Sequence, residues 1–261
     1  MLQRSDIDLV IPSKQRASRC AALMRTMLTG ADCCVAESEL ADYEAAGIPR
    51  ARIRTHANLS GLPAIRNHLV QASQRPVVVQ IDHDLLCVWA RVGHTERKIV
   101  DPALIMEVIY GTAVIASDIG VSLFGWGRLG AMLCGHKPAA YKDSDPFSFT
   151  SPFGGAVGAV GKLARWDNRI LGGGGDPDAI MNELLLRRII YADLRYYFDI
   201  GRVNAGAGGL QSMRSAERCT QSKMIMKAKW GTTSCLTRLS QARTVGCGSS
   251  ADKTGPSRGM C

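Results

Sequence analysis

No stretch of these 261 residues approaches the roughly 20 consecutive apolar residues that a membrane-crossing helix needs. The first residues also lack the long apolar run of a signal peptide: Arg4 and Asp6 stand where it would lie. Both absences point to a cytoplasmic protein with no membrane partner. The nine cysteines contain no CxxC pair, and their odd number leaves at least one thiol unpaired. Reduced thiols are therefore expected rather than a disulfide framework or a structural zinc site. Internal repeats are absent. Histidine is missing after His136, so the rest of the chain offers no imidazole to a metal. Acidic residues are scarce at the C-terminal end. From Arg202 to Cys261 there are ten Lys/Arg and two Asp/Glu, whereas the preceding residues hold twenty-two basic and twenty-one acidic groups. A near-neutral body with a basic last quarter suits a polyanionic partner. A solvated tail is the alternative, and it is the better reading after Gly246, where a Gly/Ser/Lys-rich stretch has little to bury.

What is present reads as a globular α/β domain. Ile7 to Ile11 is apolar apart from Asp8 and stops at Pro12, as a buried strand would. Ala17 to Leu28 has helical spacing. Cys33 to Ala36 is a short strand, and Ser38 can cap a helix through Ala46. Ala51 to Thr55 is a weak strand, Pro63 opens a helix to Ala72, and Val77 to Ile81 is a strong fourth strand. This alternation predicts a mainly parallel central sheet with helices on both faces. Ligands bind such sheets beyond the carboxyl ends of the strands. Further on, the pattern predicts a hairpin over Leu85 to Val100, a helix over Pro102 to Ser117, and a strand over Val121 to Trp126. An irregular loop over Gly127 to Asp145 follows, then helices over Asp178 to Asp193 and Ala216 to Trp230.

The candidate chemistry gathers at the strand ends. Asp82-His83-Asp84 follows an apolar strand directly, and in an extended chain residues i and i+2 point the same way. Two carboxylates facing one point repel each other unless a cation lies between them, and oxygen ligands favour Mg²⁺ or Mn²⁺. The plainer reading is a polar turn after a strand. Trp126 and Trp230 suit the core better than a stacking role. Arg195, Arg202 and Arg214 are candidate phosphate contacts, as are Lys223, Lys227 and Lys229 of the basic quarter.

Several segments together carry a resemblance. Ile11-Pro12-Ser13-Lys14-Gln15-Arg16 resembles the "VIPSxxR" opening of type-A (GT-A fold) nucleotide-sugar glycosyltransferases. Gly61-Leu62-Pro63-Ala64-Ile65-Arg66-Asn67 resembles their "G-x-x-x-A-R-N" helix. Val78 to Asp84 resembles their strand with its acidic DxD motif. Gly154 to Gly158 and Gly174-Gly175-Asp176-Pro177-Asp178 are similar to their acceptor-side "GGA…GGED" segment. Tyr191-Ala192-Asp193-Leu194-Arg195, Asn204, Gly208-Gly209, Arg214 and Lys229-Trp230-Gly231 further resemble the TET-associated glycosyltransferases of phages, which act on hydroxymethylated pyrimidines in DNA.

The resemblance implies a GT-A-like domain over residues 1–231, with a nucleotide-binding half (1–84), an acceptor half (85–231) and a basic helical extension. Residues 232–261 become a basic, flexible tail. The implied donor is a UDP-sugar with Mn²⁺ or Mg²⁺, and the implied acceptor is the hydroxymethyl group of 5-hydroxymethylcytosine or a related base in DNA, in the host cytoplasm if the chain is phage-encoded. Pro12, Ser13 and Arg16 would line the nucleotide pocket. Arg66 and Asn67 would contact the nucleotide or orient the metal loop. Asp82 and Asp84 would hold the metal on the diphosphate, with His83 beside them. Asp176 or Asp178 would deprotonate the acceptor hydroxyl in an inverting transfer; helix capping is the plainer role for both. The family's Glu-Asp pair is here Asp176-Pro177-Asp178, which leaves the register of the base open, and its late histidine ligand is missing. Two other readings stand beside this one: a transferase of the same fold acting on a polysaccharide, lipid or protein, and a non-catalytic nucleic-acid-binding module.

Overall fold

The computed structural model describes residues 2–92, 95–127, 155–171, 175–200 and 216–230. Arg202, Arg214, His94, His136, most of the expected irregular loop and the basic tail lie outside the described residues. Among those described, no helix is long and apolar enough to cross a membrane.

Among the described residues, nine strands form one sheet, in the spatial order Ile53–His56, Asp32–Ala36, Ile7–Pro12, Val77–Ile81, Ala156–Val160, Leu123–Gly127, Ile190–Ile200, Leu85–Val92 and Thr95–Ile99. The first half follows the expected alternation: β1 (Ile7–Pro12), α1 (Ala17–Thr26), β2 (Asp32–Ala36), α2 (Leu40–Ala45), β3 (Ile53–His56), α3 (Leu62–Ala72) and β4 (Val77–Ile81). These four strands run parallel. The reason lies in the sequence: β1 and β4 are buried along their whole length, which only a strand covered on both faces requires. Ile7, Leu9 and Ile11 of β1 join Val77, Val79 and Ile81 of β4 under α1, α2 and α4 (Pro102–Asp118). Val10 and Val78 point the other way, towards α3 and α5 (Gly175–Leu185). Each fully buried Val, Leu or Ile contributes about 1.5–3 kcal/mol, so the two-sided core fixes where β4 must end.

The second half reverses direction. β5 (Leu85–Val92) and β6 (Thr95–Ile99) form the expected hairpin at one edge. β7 (Leu123–Gly127) and β8 (Ala156–Val160) bring the sheet back, with β8 antiparallel to both β4 and β7. Gly158 lies opposite Phe124, and a Cβ there would sit 2.1 Å from the phenyl ring, so the strand pair tolerates no side chain.

Two expectations are corrected. Ser38 does not cap α2: it lies in a short 3-10 turn, Glu37–Glu39, and Glu39 occupies the cap position. The helix expected to run to Asp193 ends at Leu185. Arg187 takes a left-handed φ of 57°, and the Arg187 and Arg188 N–H groups close back onto the carbonyls of Leu184 and Glu183. This is the closure a glycine usually provides after a helix. The chain then enters β9 (Ile190–Ile200), parallel to β7 and antiparallel to β5. The last described element, α6 (Ala216–Trp230), packs Met226 and Trp230 on Ile170 and Met181. The described cysteines 20, 33, 34, 87 and 219 form no disulfide with one another.

Candidate active site

β1 delivers the chain to its carboxyl rim at Pro12, and the Ser13–Arg16 crossing is tied down from α2. The Ser13 N–H donates to the Cys34 carbonyl at 3.0 Å, and Tyr43 Oη donates to the Ser13 hydroxyl at 2.7 Å. Gln15 sits at φ 52°, its N–H held by Glu39 Oε2 at 2.7 Å, and the Arg16 N–H reaches Tyr43 Oη at 3.3 Å. Pro12, Ser13 and Arg16 thus share one fixed loop. Ser13 is buried, with its hydroxyl engaged by Tyr43.

β4 ends on the same rim. The Asp82 N–H donates to the Gly155 carbonyl at 2.8 Å, and the Leu85 N–H returns to the Asp82 carbonyl at 3.2 Å. The acidic triplet is therefore a turn, and the extended geometry expected for Asp82 and Asp84 does not hold. The two carboxylates are still electrostatic neighbours. Burial pushes the Asp82 carboxyl up to about 7; Arg66 pulls it down, while the charges of Asp84 and Asp176 add to the rise. His83 turns towards β1, its Nδ1 3.4 Å from the Pro12 carbonyl, and burial holds its imidazole below the usual value.

Arg66 is the centre of the cluster. Gly61, at φ +85° and with Leu171 closer than a Cβ would allow, opens α3 so that its first turns lie against the start of α5. Arg66 is 1% exposed. Its Nη2 donates to Asp82 Oδ1 at 3.1 Å and its Nη1 to Asp176 Oδ1, and its Nε has no partner among the described residues. The Trp166 ring lies beside the guanidinium, 5.9 Å from centroid to Cζ, and Trp166 Nε1 also donates to Asp176 Oδ1, at 3.0 Å.

Asn67, expected at the nucleotide or metal loop, faces elsewhere. One residue on along a helix turns the side chain by about 100°. Its amide accepts from the Trp166 N–H at 2.9 Å and donates to the Trp166 carbonyl at 2.7 Å, which fixes the segment that presents Trp166. Asp176 and Asp178 diverge for the same reason, since helix residues i and i+2 do not share a face. Asp176 meets Arg66, whereas Asp178 is fully buried against α6. It accepts from Lys229 Nζ at 2.9 and 3.0 Å, from Trp230 Nε1 at 2.9 Å and from Asn182 Nδ2 at 3.1 Å. A carboxylate so saturated is a structural anchor, not a base open to substrate.

The candidate phosphate contacts divide. Lys229 is taken by Asp178 and by Asp167 at 3.4 Å. Arg195 grips Asp193 through Nε at 2.9 Å and Nη2 at 2.8 Å. Asp193 in turn belongs to a buried chain running through Thr112 to Trp126, whose indole is core as expected. Lys223 and Lys227 lie exposed on α6.

Among the described residues, no three His, Cys, Asp or Glu groups converge as a metal cage. Asp82 and Asp84 nevertheless fit a hard cation that takes its remaining ligands from phosphate and water. Asp84 Oδ1 is buried without a hydrogen-bond partner among the described residues, and burial, with the charges of Asp84 and Asp176, raises Asp82 in spite of Arg66. Sequence patterns missed Trp166. They also missed Arg19 of α1, whose Nε and Nη2 reach the carbonyls of His83 and Asp84, both at 3.1 Å. Neither contact has a local signal, because the partners lie in distant segments.

No protein-family model matches this chain, and no curated protein matches it. Among solved structures the chain is similar to glucosyl-3-phosphoglycerate synthase from Mycobacterium tuberculosis. The complex of that enzyme with Mn²⁺, UDP and glucosyl-3-phosphoglycerate superposes with a TM-score of 0.45 at 13% identity, over 82% of this chain and 80% of that one. Its complex with Mg²⁺ and UDP gives 0.46 at 12% identity, over 82% and 79%. Its complex with Mn²⁺, UDP-glucose and phosphoglyceric acid gives 0.45 at 13% identity, over 82% and 79%. Superposition at this level assigns neither a family nor an activity to this chain.

Proposed function

We propose that this chain is a glycosyltransferase that moves a sugar from a UDP-sugar to an acceptor hydroxyl with the help of Mn²⁺ or Mg²⁺. The observation that carries the reading is the rim cluster: Asp82 and Asp176 bind one buried arginine, Asp84 is an electrostatic neighbour of Asp82, and Asp84 keeps a buried oxygen without a partner among the described residues. A fold gains nothing from an incompletely satisfied buried carboxylate, whereas a site for a cation and a diphosphate uses it.

In this reading residues 1–84 carry the donor and residues 85–231 present the acceptor. Asp82 and Asp84 would hold the cation, which would supply positive charge against the leaving diphosphate. Arg66 links the two sides by binding Asp82 with one nitrogen and Asp176 with the other. The Ser13–Arg16 loop, fixed by Tyr43 and Glu39, forms the donor wall. Asp176 has Oδ1 pinned by Arg66 and Trp166, which leaves Oδ2 to face the acceptor hydroxyl and, in an inverting transfer, to take its proton.

The acceptor in this proposal is the hydroxymethyl group of a modified pyrimidine in DNA. The resemblance of residues 191–231 and the basic last quarter of the sequence support it. Lys227, exposed on α6, is its best described phosphate contact, since Arg195 and Lys229 are held in ion pairs within the fold. The test is a nucleoside mass assay on DNA with and without 5-hydroxymethylcytosine, incubated with the protein, Mn²⁺ and a panel of UDP-sugars. A hexose-sized mass gain on the modified base alone supports the whole reading. UDP release without a gain on DNA keeps the transferase and overturns the acceptor. Absence of UDP release from every donor, with DNA still bound, overturns the transferase in favour of a binding module.

A further inference from the structure

The acidic turn is gripped on its α1 side by a residue outside the proposed ligand set. Arg19 reaches across from the first turn of α1 and donates from Nε to the His83 carbonyl and from Nη2 to the Asp84 carbonyl, each at 3.1 Å. Two nitrogens of one planar fork thus meet two consecutive carbonyls, a geometry that a lysine ammonium cannot reproduce. On the same side the His83 ring lies 3.4 Å from the Pro12 carbonyl. On the other side Arg66 holds the Asp82 carboxylate at 3.1 Å. Within the turn itself one backbone hydrogen bond, from the Leu85 N–H to the Asp82 carbonyl, closes the loop. The carboxylate of Asp84 receives none of this support: Oδ1 is buried and unpartnered among the described residues, and its charge works against that of Asp82.

We propose that Arg19 is a positioning residue for the cation site. By fixing the carbonyls of His83 and Asp84, it keeps the Asp84 carboxylate beside Asp82 against their mutual repulsion, so the two oxygens stand ready before a cation arrives. This rests on the cation site proposed above. A residue that merely tied α1 to the sheet would, when replaced, lower stability and leave cation binding alone. A residue that sets the direction of a ligand changes affinity, and such supporting contacts are worth about 10–100-fold in metal binding.

The experiment is a Mn²⁺ titration of the full chain, with and without UDP, following free Mn²⁺ by electron paramagnetic resonance. Wild type, Arg19→Lys and Arg19→Ala are compared, and thermal melting of each is recorded alongside. Arg19→Lys keeps the charge and loses the fork; its Mn²⁺ affinity is expected to fall about tenfold while its melting temperature stays close to that of the wild type. Equal affinity in all three proteins overturns the proposal. Loss in Arg19→Ala with full retention in Arg19→Lys also overturns it, because charge without the fork would then suffice. A wild-type protein that binds no Mn²⁺ even with UDP overturns the cation site itself and this inference with it.

Discussion

The sheet carries two arginine–carboxylate clusters, one near each end of its strands, and they are built to opposite ends. Near the amino ends of β1, β2 and β3, Arg54 closes on Asp8 with both terminal nitrogens and on Asp32 with Nε at 3.1 Å and Nη2 at 2.8 Å. Burial alone would raise the Asp8 carboxyl. Hydrogen bonds from Arg54 and Ser73, with the charges of Arg54 and Arg75, outweigh it and hold the group below its usual value. At the carboxyl rim, Arg66 also meets two carboxylates, but burial, with a third carboxylate near, pushes Asp82 up to about 7. One guanidinium nitrogen and one Asp84 oxygen there are buried without partners among the described residues. The same residue types therefore make a finished ion cluster in one place and an unfinished one in the other. Structural clusters are complete within the chain, and a binding cluster is completed by what it binds.

The sharpest way to break this contrast is to remove one carboxylate from each cluster. Asp84→Ala is expected to lower Mn²⁺-dependent sugar transfer, or release of UDP from the donor, by a hundredfold or more, about 3 kcal/mol of barrier. Its melting temperature should be unchanged or raised, because a buried carboxylate oxygen without a partner among the described residues is gone. Asp8→Ala should do the reverse, leaving turnover per folded molecule intact and lowering the melting temperature. Steady-state kinetics and calorimetry on both variants decide it. Unchanged turnover in Asp84→Ala at limiting Mn²⁺ would remove the rim cluster from the chemistry.

Much of this architecture was legible because it depends on burial. The runs of β1 and β4, apolar except for Asp8 and Gln80, read as strands covered on both faces, and Pro63 marked the start of α3. The convergence of Pro12 and Asp82 on one rim followed from that alternation, whereas Arg66 was placed near the metal loop only by the resemblance. What could not be read was decided by single torsions and by helix phase. Arg187, an arginine in a left-handed position where glycine is the usual signal, ended α5 and let Ile190 to Ile200 become a strand. Asn67 and Asp178 sit one and two residues from true members of the cluster, and helix rotation turned each of them to a different partner. Arg19 and Trp166 entered through contacts between distant segments, which no local pattern encodes.

A second, smaller contrast is one of sign with pH, and it needs metal-free protein. The Asp82 carboxyl is raised in the fold, so its contribution to stability is full below the unfolded value near 4 and is lost as pH rises through about 7. The Asp8 carboxyl is depressed, so its contribution is present above that unfolded value and is lost as pH falls through the folded one. Urea unfolding between about pH 3 and pH 8 in chelator should separate them. Asp82→Asn is expected to flatten the decline between roughly pH 4 and pH 7, a slope on the order of 3 kcal/mol in total. Asp8→Asn should flatten only the acid limb. Identical profiles for the two variants would mean that the clusters are electrostatically alike.

The smallest expected effect comes from Lys229, which tests whether the finished kind of cluster extends to α6. Its ammonium bonds both oxygens of Asp178, a carboxylate that Trp230 and Asn182 also satisfy. Lys229→Ala removes a charged partner from a fully buried group, but its side chain is 26% exposed, so water screens part of the pair. About 1–2 kcal/mol of stability should be lost, a fall of a few degrees in melting temperature for a chain of this size. If the chain binds DNA as proposed, the salt dependence of that binding should stay as it was, because a lysine already spent on Asp178 releases no counterion from a phosphate. Lys223→Ala or Lys227→Ala should each reduce that salt slope by about one if it faces a phosphate. A reduced slope in Lys229→Ala would show that the ion pair opens for nucleic acid, and α6 would then belong with the unfinished cluster at the rim.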